Sequence, residues 1–348
     1  MLCVFAVLNF VQTKEENGSS EEQFSSSIKR GIDYLAYVQL PYGEFKTQAC
    51  RDAQMTHCVF DSSPFATTFV VYSLAGIDNP KVKPMIAKAL QFLRGEEEPG
   101  GVWRYWTNSN PKKSAIIASS TSVATAQGEY PRELDPDLDD MATVSFALKS
   151  NGVSFDSNEK LFDANRDSEG RFLTWIRTGP QVMNDIDCNV NTDILLYLRD
   201  DQHACTYVNE SVQAPSYTCS PYYPPADPIL FYYLVSRATS SGVACLATST
   251  PTILSRILPM QHADGSFGSV LDTGFALNVM LNAEYKNPAV DRAAQWLLTA
   301  QQQDGSWQRG VFWVGPAPYY GSEELTTAIA LEALHKYQML ESAAVTAR

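Results

Sequence analysis

The sequence has little charge and lacks the motifs of common cofactor sites. Of its 348 residues only 19% are charged, and 26 basic residues against 39 acidic ones give a formal net charge of −13. Such a chain would be repelled by nucleic-acid backbones and anionic membranes, because no local basic patch interrupts the negative charge. It contains neither a Gly-x-Gly-x-x-Gly pattern nor a P-loop. The sequence therefore argues against nucleic-acid partners and against nucleotide cofactors.

Long apolar runs are also scarce. The apolar stretch Met1–Val11 is too short to cross a bilayer, which takes about 20 apolar residues. It also lacks the basic start of an export signal. We expect residues 1–25 to form a mobile tail and residues 26–348 to form one folded domain without a transmembrane segment. A cytoplasmic or membrane-peripheral location is favoured, and export is left open.

The seven cysteines show no Cys-x-x-Cys spacing, so a zinc site of the usual kind is not expected. In an exported protein Cys50 would pair with Cys58, or Cys205 with Cys219, whereas a cytosolic protein would carry thiols throughout. Cys188 lies in an apolar segment without a credible second ligand set. We predict that Cys188 is unmodified and binds no metal.

One unit recurs along the chain and sets the expectation for the fold. A glycine is followed two residues later by an aromatic residue, between two segments of helical periodicity. Glycine allows the positive φ that the reversal needs, and the aromatic side chain folds back over the turn. A sixth slot, at 217–227, lacks the glycine. The two clear copies are Gln261–Phe267 and Gln301–Trp307, and the weaker ones are Gly43–Phe45, Gly101–Trp103 and Gly170–Phe172.

The segments before the turns are amphipathic and those after them are apolar, which predicts alternating outer and inner helices. We therefore predict an all-α fold, a single (α/α)6 barrel of six helical hairpins, with a candidate lid inserted at 105–134. The predicted outer segments include 28–38, 82–93, 252–258 and 289–300. The predicted inner segments are 63–74, 140–148, 185–198, 228–238, 273–281 and 323–334.

Acidic residues recur at the predicted starts of the inner helices. Most are expected to cap these helices, because carboxylates accept hydrogen bonds from free backbone N–H groups and favour the positive end of the helix dipole. The run from Asp135 to Asp140 exceeds this explanation, since it places four carboxylates in six residues. Crowding and burial raise the pKa of such acids, so at least one could act as a proton donor. The acidic residues at the predicted starts of the inner helices are Asp61, Asp140, Asp185, Asp187, Asp227, Asp272, Glu323 and Glu324.

The repeated units resemble the QW repeats of the terpene cyclase and prenyltransferase superfamily. Asp137-Leu-Asp139-Asp140 resembles the Asp-x-Asp-Asp motif of class II terpene cyclases such as squalene-hopene cyclases. The resemblance implies that Asp139 protonates a polyprenyl (isoprenoid) substrate while Asp137 and Asp140 hold and tune it. It implies no cofactor, and Mg²⁺ is a candidate only for a diphosphate substrate. The family usually continues with Thr-Ala, whereas Met141–Thr143 follows here.

Family members generally place the reaction chamber between two barrels, so a second helical-barrel protein is a candidate partner. Two other functions stay open: a glycan-active barrel with paired carboxylates, and a non-catalytic or partner-dependent subunit. A zinc-dependent prenyltransferase is disfavoured, because Asp187-Cys188 has no matching His.

Overall fold

The computed structural model describes residues 3–107, 124–125, 128–129, 135–177, 184–223, 228–314 and 319–346. Side chains are described between residues 21 and 342 of these ranges, apart from 124–129. Most of the candidate lid at 105–134 lies outside the described residues, as does Asp227. Nothing in the structure tests the proposed role of that segment.

The described residues contain twelve α-helices, which are numbered in chain order. The helices are α1 (Cys3–Val38), α2 (Pro64–Leu74), α3 (Val82–Gly95), α4 (Leu138–Ser150), α5 (Glu159–Ala164), α6 (Cys188–Leu198), α7 (Gln202–Gln213), α8 (Ile229–Ser240), α9 (Thr250–Ile257), α10 (Val270–Asn282), α11 (Pro288–Ala300) and α12 (Glu323–Thr346). Two 3₁₀ turns, Ala244–Ser249 and Leu258–Met260, flank α9.

The even helices form a closed inner ring. Each packs against the even helices before and after it, and α12 packs against α2 to close the ring. Nearly the whole of α2 is buried, whereas α3 buries six of its fourteen residues, on one face. This contrast is the one expected between a helix enclosed on all sides and a helix with one face in water. The predicted barrel of six hairpins is confirmed.

Three of the turns that lead from an odd to an even helix are built alike. In each, a glutamine amide donates to the glycine carbonyl of its own turn and to a carbonyl of the neighbouring odd helix. The glycine permits a close approach: a Cβ on Gly305 would lie 2.4 Å from the Arg30 carbonyl oxygen, at φ +92°. The donations are from Gln39 to Gly43 and Met85 (3.0 and 2.9 Å), from Gln261 to Gly265 and Ala289 (3.1 and 2.8 Å), and from Gln301 to Gly305 and Ser27 (2.9 Å each).

Short strands cross the end of the barrel at which the even helices begin, here called the mouth. They are β1 (Gln48–Cys50), β2 (Cys58–Phe60), β3 (Ala124–Thr125), β4 (Gly128–Glu129), β5 (Trp313–Val314) and β6 (Tyr319–Gly321). Four of them form an antiparallel sheet in the order β2-β1-β6-β5, with Gln48 opposite Gly321. The sheet joins the connector before α2 to the connector before α12. The helical periodicity of the sequence did not predict this sheet.

Three disulfides correct the cysteine predictions. Cys50 pairs with Cys58, as one of the two alternatives had it. Cys188 pairs with Cys219 and Cys205 with Cys245. The prediction that Cys188 is unmodified is therefore wrong, and so is the pairing of Cys205 with Cys219. Packing brings the start of α6 to the connector after α7, and the sequence pattern does not encode that approach. Structural disulfides persist chiefly in oxidising compartments.

The first helix extends well ahead of the predicted segment. α1 runs continuously from Cys3, and Phe24 is buried against Tyr337 of α12 with ring centroids 5.1 Å apart. The packed barrel thus includes the end of the stretch 1–25. Within the described part of the chain, no helix combines the length and apolar character needed to cross a membrane.

Candidate active site

The acidic run lies at the mouth, where α4 begins. Asp137 is the N-cap of α4: its backbone is extended, and its carboxylate accepts the Asp140 N–H at 2.7 Å. The preceding chain is fixed to the neighbouring connector, because the Leu138 N–H donates to the Thr174 carbonyl at 2.8 Å. Asp137 therefore caps α4. Capping does not account for the presence of Asp139 and Asp140.

Asp140 is fully buried and forms a carboxyl pair with Asp137. Burial, followed by the charge of Asp137, raises the pKa of Asp140 well above its usual range. Burial also raises the pKa of Asp137, but hydrogen bonds from Asp140 oppose that rise. The interaction between the two carboxyl groups thus raises the pKa of Asp140 and opposes the rise at Asp137.

Asp139 forms a second carboxyl pair, with Asp193 in the middle of α6. Burial, then the charges of Asp193 and Asp137, raise the pKa of Asp139 well above its usual range. The Tyr223 hydroxyl donates to Asp139 Oδ2 at 2.6 Å and opposes that rise. Among the described residues, Asp139 Oδ1 and Asp193 Oδ2 are buried without a donor. A single proton shared between the two carboxyl groups would satisfy both oxygens.

The neighbouring cation decides which acid holds that proton. Arg237 of α8 forms a buried ion pair with Asp193, with side chains 3% and 1% exposed. Burial raises the pKa of Asp193, while Arg237 and a hydrogen bond with Asp139 oppose the rise. A proton on Asp193 would leave the guanidinium buried and unpaired, a change that typically costs about 3–5 kcal/mol. Asp193 is therefore the carboxylate, and Asp139 is the acid.

Aromatic rings surround this arrangement. We call Phe65, Phe69, Phe275, Phe312 and Trp313 the aromatic cluster. Phe312 lies at its centre, with its ring centroid 4.7 Å from Phe69 and 5.4 Å from Trp313. Tyr223 contacts Phe312 edge to face at 6.4 Å, and Arg237 lies 4.3 Å above the Phe69 ring. Tyr223 and Arg237 thus connect the carboxyl pair to an apolar, π-rich interior, a setting that stabilises positive charge.

The other mouth acids divide into two kinds. Asp187 caps α6, and Asp272 completes a capping box with Ser269 at the start of α10, as predicted for most of these acids. Asp61 instead accepts hydrogen bonds from Tyr105 and Trp106, each at 3.1 Å. Aromatic donors of this kind were not foreseen.

Asp185 likewise binds aromatic side chains. It accepts from Trp175 at 3.1 Å and from Tyr222 at 3.0 Å. Two acids of the mouth, Asp61 and Asp185, thereby hold tyrosine and tryptophan rings in place near the N-terminal ends of α2 and α6. The mouth thus combines aromatic surface with fixed polar groups.

The sequence pattern and the family resemblance singled out Asp139 but not three of its neighbours, Asp193, Tyr223 and Arg237. Asp193 and Arg237 each interrupt an apolar inner helix, and Arg237 is the sole charged residue of α8. A charge in such a position requires a partner, and this signal could have singled them out. Tyr223 lies in the connector without a repeat signature, and nothing in its local sequence marks it.

Comparisons with known proteins give matches at the level of structure alone. No protein-family description and no curated protein matches the sequence. The structure is similar to the type II terpene cyclase MstE from Scytonema, with a TM-score of 0.66 and 15% identity, over 92% of this chain and 99% of that one. It is also similar to ent-copalyl diphosphate synthase from Streptomyces platensis, with a TM-score of 0.56 and 18% identity, over 78% of this chain and 50% of that one.

A further similarity links the chain to a sugar-cleaving enzyme. The unsaturated glucuronyl hydrolase specific for heparin matches with a TM-score of 0.55 and 12% identity, over 92% of this chain and 98% of that one. At such identities the similarity shows the fold alone. The chain has the helical barrel that type II terpene cyclases and this hydrolase share, and its function must be argued from its own residues.

Proposed function

We propose that this protein is a class II terpene-cyclase-like enzyme in which Asp139 protonates a polyprenyl substrate. The observation that carries the proposal is the state of Asp139: a partly buried acid with a buried Oδ1 atom, kept protonated beside the Asp193 carboxylate, at the edge of the aromatic cluster. Asp137 and Asp140 support it from the same helix turn, as the family resemblance implies. The similarity to MstE is consistent with this assignment.

The arrangement fits proton transfer to a carbon–carbon double bond. The Asp139 proton would form a C–H bond with the alkene's electron pair and leave positive charge on the adjacent carbon. The new Asp139 carboxylate would keep the Tyr223 hydrogen bond, which stabilises the charged form. Rings of the aromatic cluster, such as Phe312, would then face the carbocation. No basic side chain is required to touch the substrate in this step.

A single barrel is compatible with this chemistry. The match to MstE spans 98–99% of that chain, so a type II cyclase can be built at this size. A geranylgeranyl dihydroxybenzoate substrate is named for that protein. We propose a polyprenyl chain of comparable kind here, with or without an attached aromatic group. A second barrel then becomes unnecessary, although the test below includes the case in which it is required.

The test is turnover by the wild type and by Asp139→Asn. The purified protein is incubated with squalene, polyprenyl diphosphates and a geranylgeranylated dihydroxybenzoate, and products are identified by mass spectrometry. Asp139→Asn keeps the shape but has no transferable proton, so turnover should fall by about 10²–10⁴-fold. Stability should change little, because one of several crowded acids is removed. Equal turnover by both proteins would eliminate Asp139 as the acid.

A glycan-active enzyme is the second candidate function. It is favoured by residues at the mouth of the barrel rather than by residues in the barrel interior. Trp175 and Tyr222 lie beside the Asp185 carboxylate, which is the combination of aromatic surface and polar groups that sugar sites use. Unsaturated heparin disaccharides provide the assay. Their cleavage, with loss in Asp185→Asn rather than in Asp139→Asn, would favour this function. Failure of both assays would favour the non-catalytic or partner-dependent subunit.

A further inference from the structure

The connector between α7 and α8 is fixed covalently to the start of α6. This connector, 214–228, occupies the sixth repeat slot and lacks the glutamine and glycine of the other turns. Cys219 forms the disulfide with Cys188, and the Cys188 N–H donates to the Cys219 carbonyl at 3.2 Å. The Ser220 hydroxyl donates to the Asp187 carboxylate, the N-cap of α6. The disulfide thus takes the place of the missing turn contacts.

The same connector carries the donor to the candidate acid. Tyr223 follows Cys219 by four residues, is 2% exposed and donates to Asp139 at 2.6 Å. Its neighbour Tyr222 donates to Asp185 at 3.0 Å. Residues 224–227 lie outside the described part of the chain. Of the anchors in the described part of this connector, the Cys188–Cys219 bond is the covalent one.

We propose that the Cys188–Cys219 disulfide holds Tyr223 in its hydrogen bond with Asp139, so that the disulfide and Tyr223 act together as one positioning unit for proton donation. The proposal rests on the proposed role of Asp139. Without the disulfide, the connector keeps its hydrogen bonds, each contributing about 1 kcal/mol, and the ring contacts of Tyr217 with Phe231 and of Tyr223 with Phe312, against the conformational entropy of a freed loop. Tyr223 then leaves Asp139 for part of the time.

Loss of the tyrosine contact weakens the acid. The Tyr223 hydroxyl lowers the pKa of Asp139 against the raising effect of its surroundings, and its departure removes that effect. A carboxyl group that binds its proton more tightly donates it less readily, and one unit of pKa is a tenfold change in equilibrium. The groups facing Asp139 are Asp137 and Asp140 from α4, Asp187 and Asp193 from α6, Tyr223 from the connector and Arg237 from α8 behind Asp193.

The bond is open to chemical reduction. Cys188 is fully buried, but Cys219 is partly exposed and follows the exposed Thr218. A dithiol reductant supplies two electrons and two protons: the Cys188–Cys219 bond breaks, two thiols form, and the dithiol becomes a disulfide. We expect reduction to lower activity reversibly, with recovery on reoxidation.

Kinetics of matched variants test the unit. The double variant Cys188→Ala with Cys219→Ala and the single variant Tyr223→Phe should each lower kcat by about tenfold or more, with KM nearly unchanged. Their combination should lose no more than either alone, because both act through one contact. The control is the double variant Cys205→Ala with Cys245→Ala, which removes the disulfide between α7 and the 3₁₀ turn Ala244–Ser249. This control should keep full activity. Multiplying losses, or an equal loss in the control, would overturn the proposal.

A titration gives a readout that is independent of turnover. With the aspartates ¹³C-labelled and Asp139→Asn used to assign the signal, the Asp139 carboxyl resonance is followed against pH. Its midpoint should rise in Tyr223→Phe, in the cysteine double variant and in wild type reduced with a dithiol, and stay fixed in the Cys205/Cys245 control. A midpoint that rises in Tyr223→Phe alone would refute the role of the disulfide. If no substrate is turned over, the proposed function fails while this titration still decides the inference.

Discussion

The starts of α4 and α12 share one scaffold and differ in charge. Trp103 precedes α4 and Trp307 precedes α12; both are fully buried. Each indole N–H donates to a carbonyl of the preceding odd helix, Leu93 or Leu297, at 2.8 Å. Both helices then begin with acidic first turns. The repeat therefore delivers carboxylates to the same place in two hairpins.

The neighbours of those carboxylates make the difference. In α12, Glu323 bonds Arg309 at 2.6 Å, and Glu324 lies 3.9 Å from Lys46. In α4, Asp139 and Asp140 face other carboxylates, and the cation Arg237 is paired with Asp193. A shared backbone frame positions an acid in both hairpins, and burial raises the pKa of Glu324 as well. At α12 the cations Lys46 and Arg309 oppose that rise, whereas at α4 neighbouring carboxylates add to it, and this difference makes α4 the candidate site.

The first prediction tests the shared scaffold. Trp307→Ala and Trp103→Ala should each lower the free energy of unfolding by about 3–5 kcal/mol, because each removes a fully buried indole and its hydrogen bond. Urea unfolding followed by circular dichroism measures both. Trp106→Ala, which removes a partly buried tryptophan of the mouth, is the matched control and should cost less. Very different losses at Trp103 and Trp307 would break the equivalence of the two turns.

Sequence periodicity predicted the barrel because its cause is local. An inner helix such as α2 is mostly apolar and buried along nearly its whole length, and a turn such as Gly305 to Trp307 carries its own glycine and aromatic residue. Even so, Gln39 was overlooked, since the unit around Gly43 lacks the Asp-Gly-Ser part of the clear copies. The hydrogen bonds of Gln39 to Gly43 and Met85 show that it does the same work.

The chemistry of the site was only partly predictable, because it depends on contacts between distant segments. Crowding along the chain marked the run from Asp135 to Asp140, and the resemblance to class II terpene cyclases pointed to Asp139 within it. Its partners Asp193 and Tyr223 lie 54 and 84 positions further along and reach it only through barrel closure. The Cys188–Cys219 pairing has the same origin. Cys205 and Cys245 are likewise paired by packing, whereas Cys50 and Cys58 lie within one connector and were among the predicted pairings.

The second prediction sharpens the electrostatic contrast. Burial raises the pKa of Glu324 to about 7 from 4.5. The folded state therefore holds a proton that the unfolded state releases, and stability should fall as the pH rises from about 4.5 to about 7. Glu324→Gln removes this penalty, so it should match the wild type at pH 4 and exceed it at pH 8 by up to about 3 kcal/mol.

Urea midpoints measured from pH 4 to pH 8 check this sign. Glu21→Gln, an exposed acid of α1, is the control and should leave the profile unchanged. Asp187, whose pKa burial also raises to about 7, accounts for part of the slope that remains. A wild-type profile that is flat, or that rises over this interval, would contradict the buried, protonated state of Glu324.

The last prediction separates capping from charge at α4. Asp137→Ala removes the acceptor of the Asp140 N–H and should cost about 0.5–2 kcal/mol, whereas Asp137→Asn keeps a capping side chain and should cost much less. Both variants remove the negative charge that helps to hold the proton on Asp139, so both should lower the titration midpoint of Asp139. Chemical denaturation and the Asp139 carboxyl resonance provide the two measurements. Equal stability losses in the two variants would mean that Asp137 acts through its charge rather than its cap, and an unmoved Asp139 midpoint would mean that the two acids do not interact.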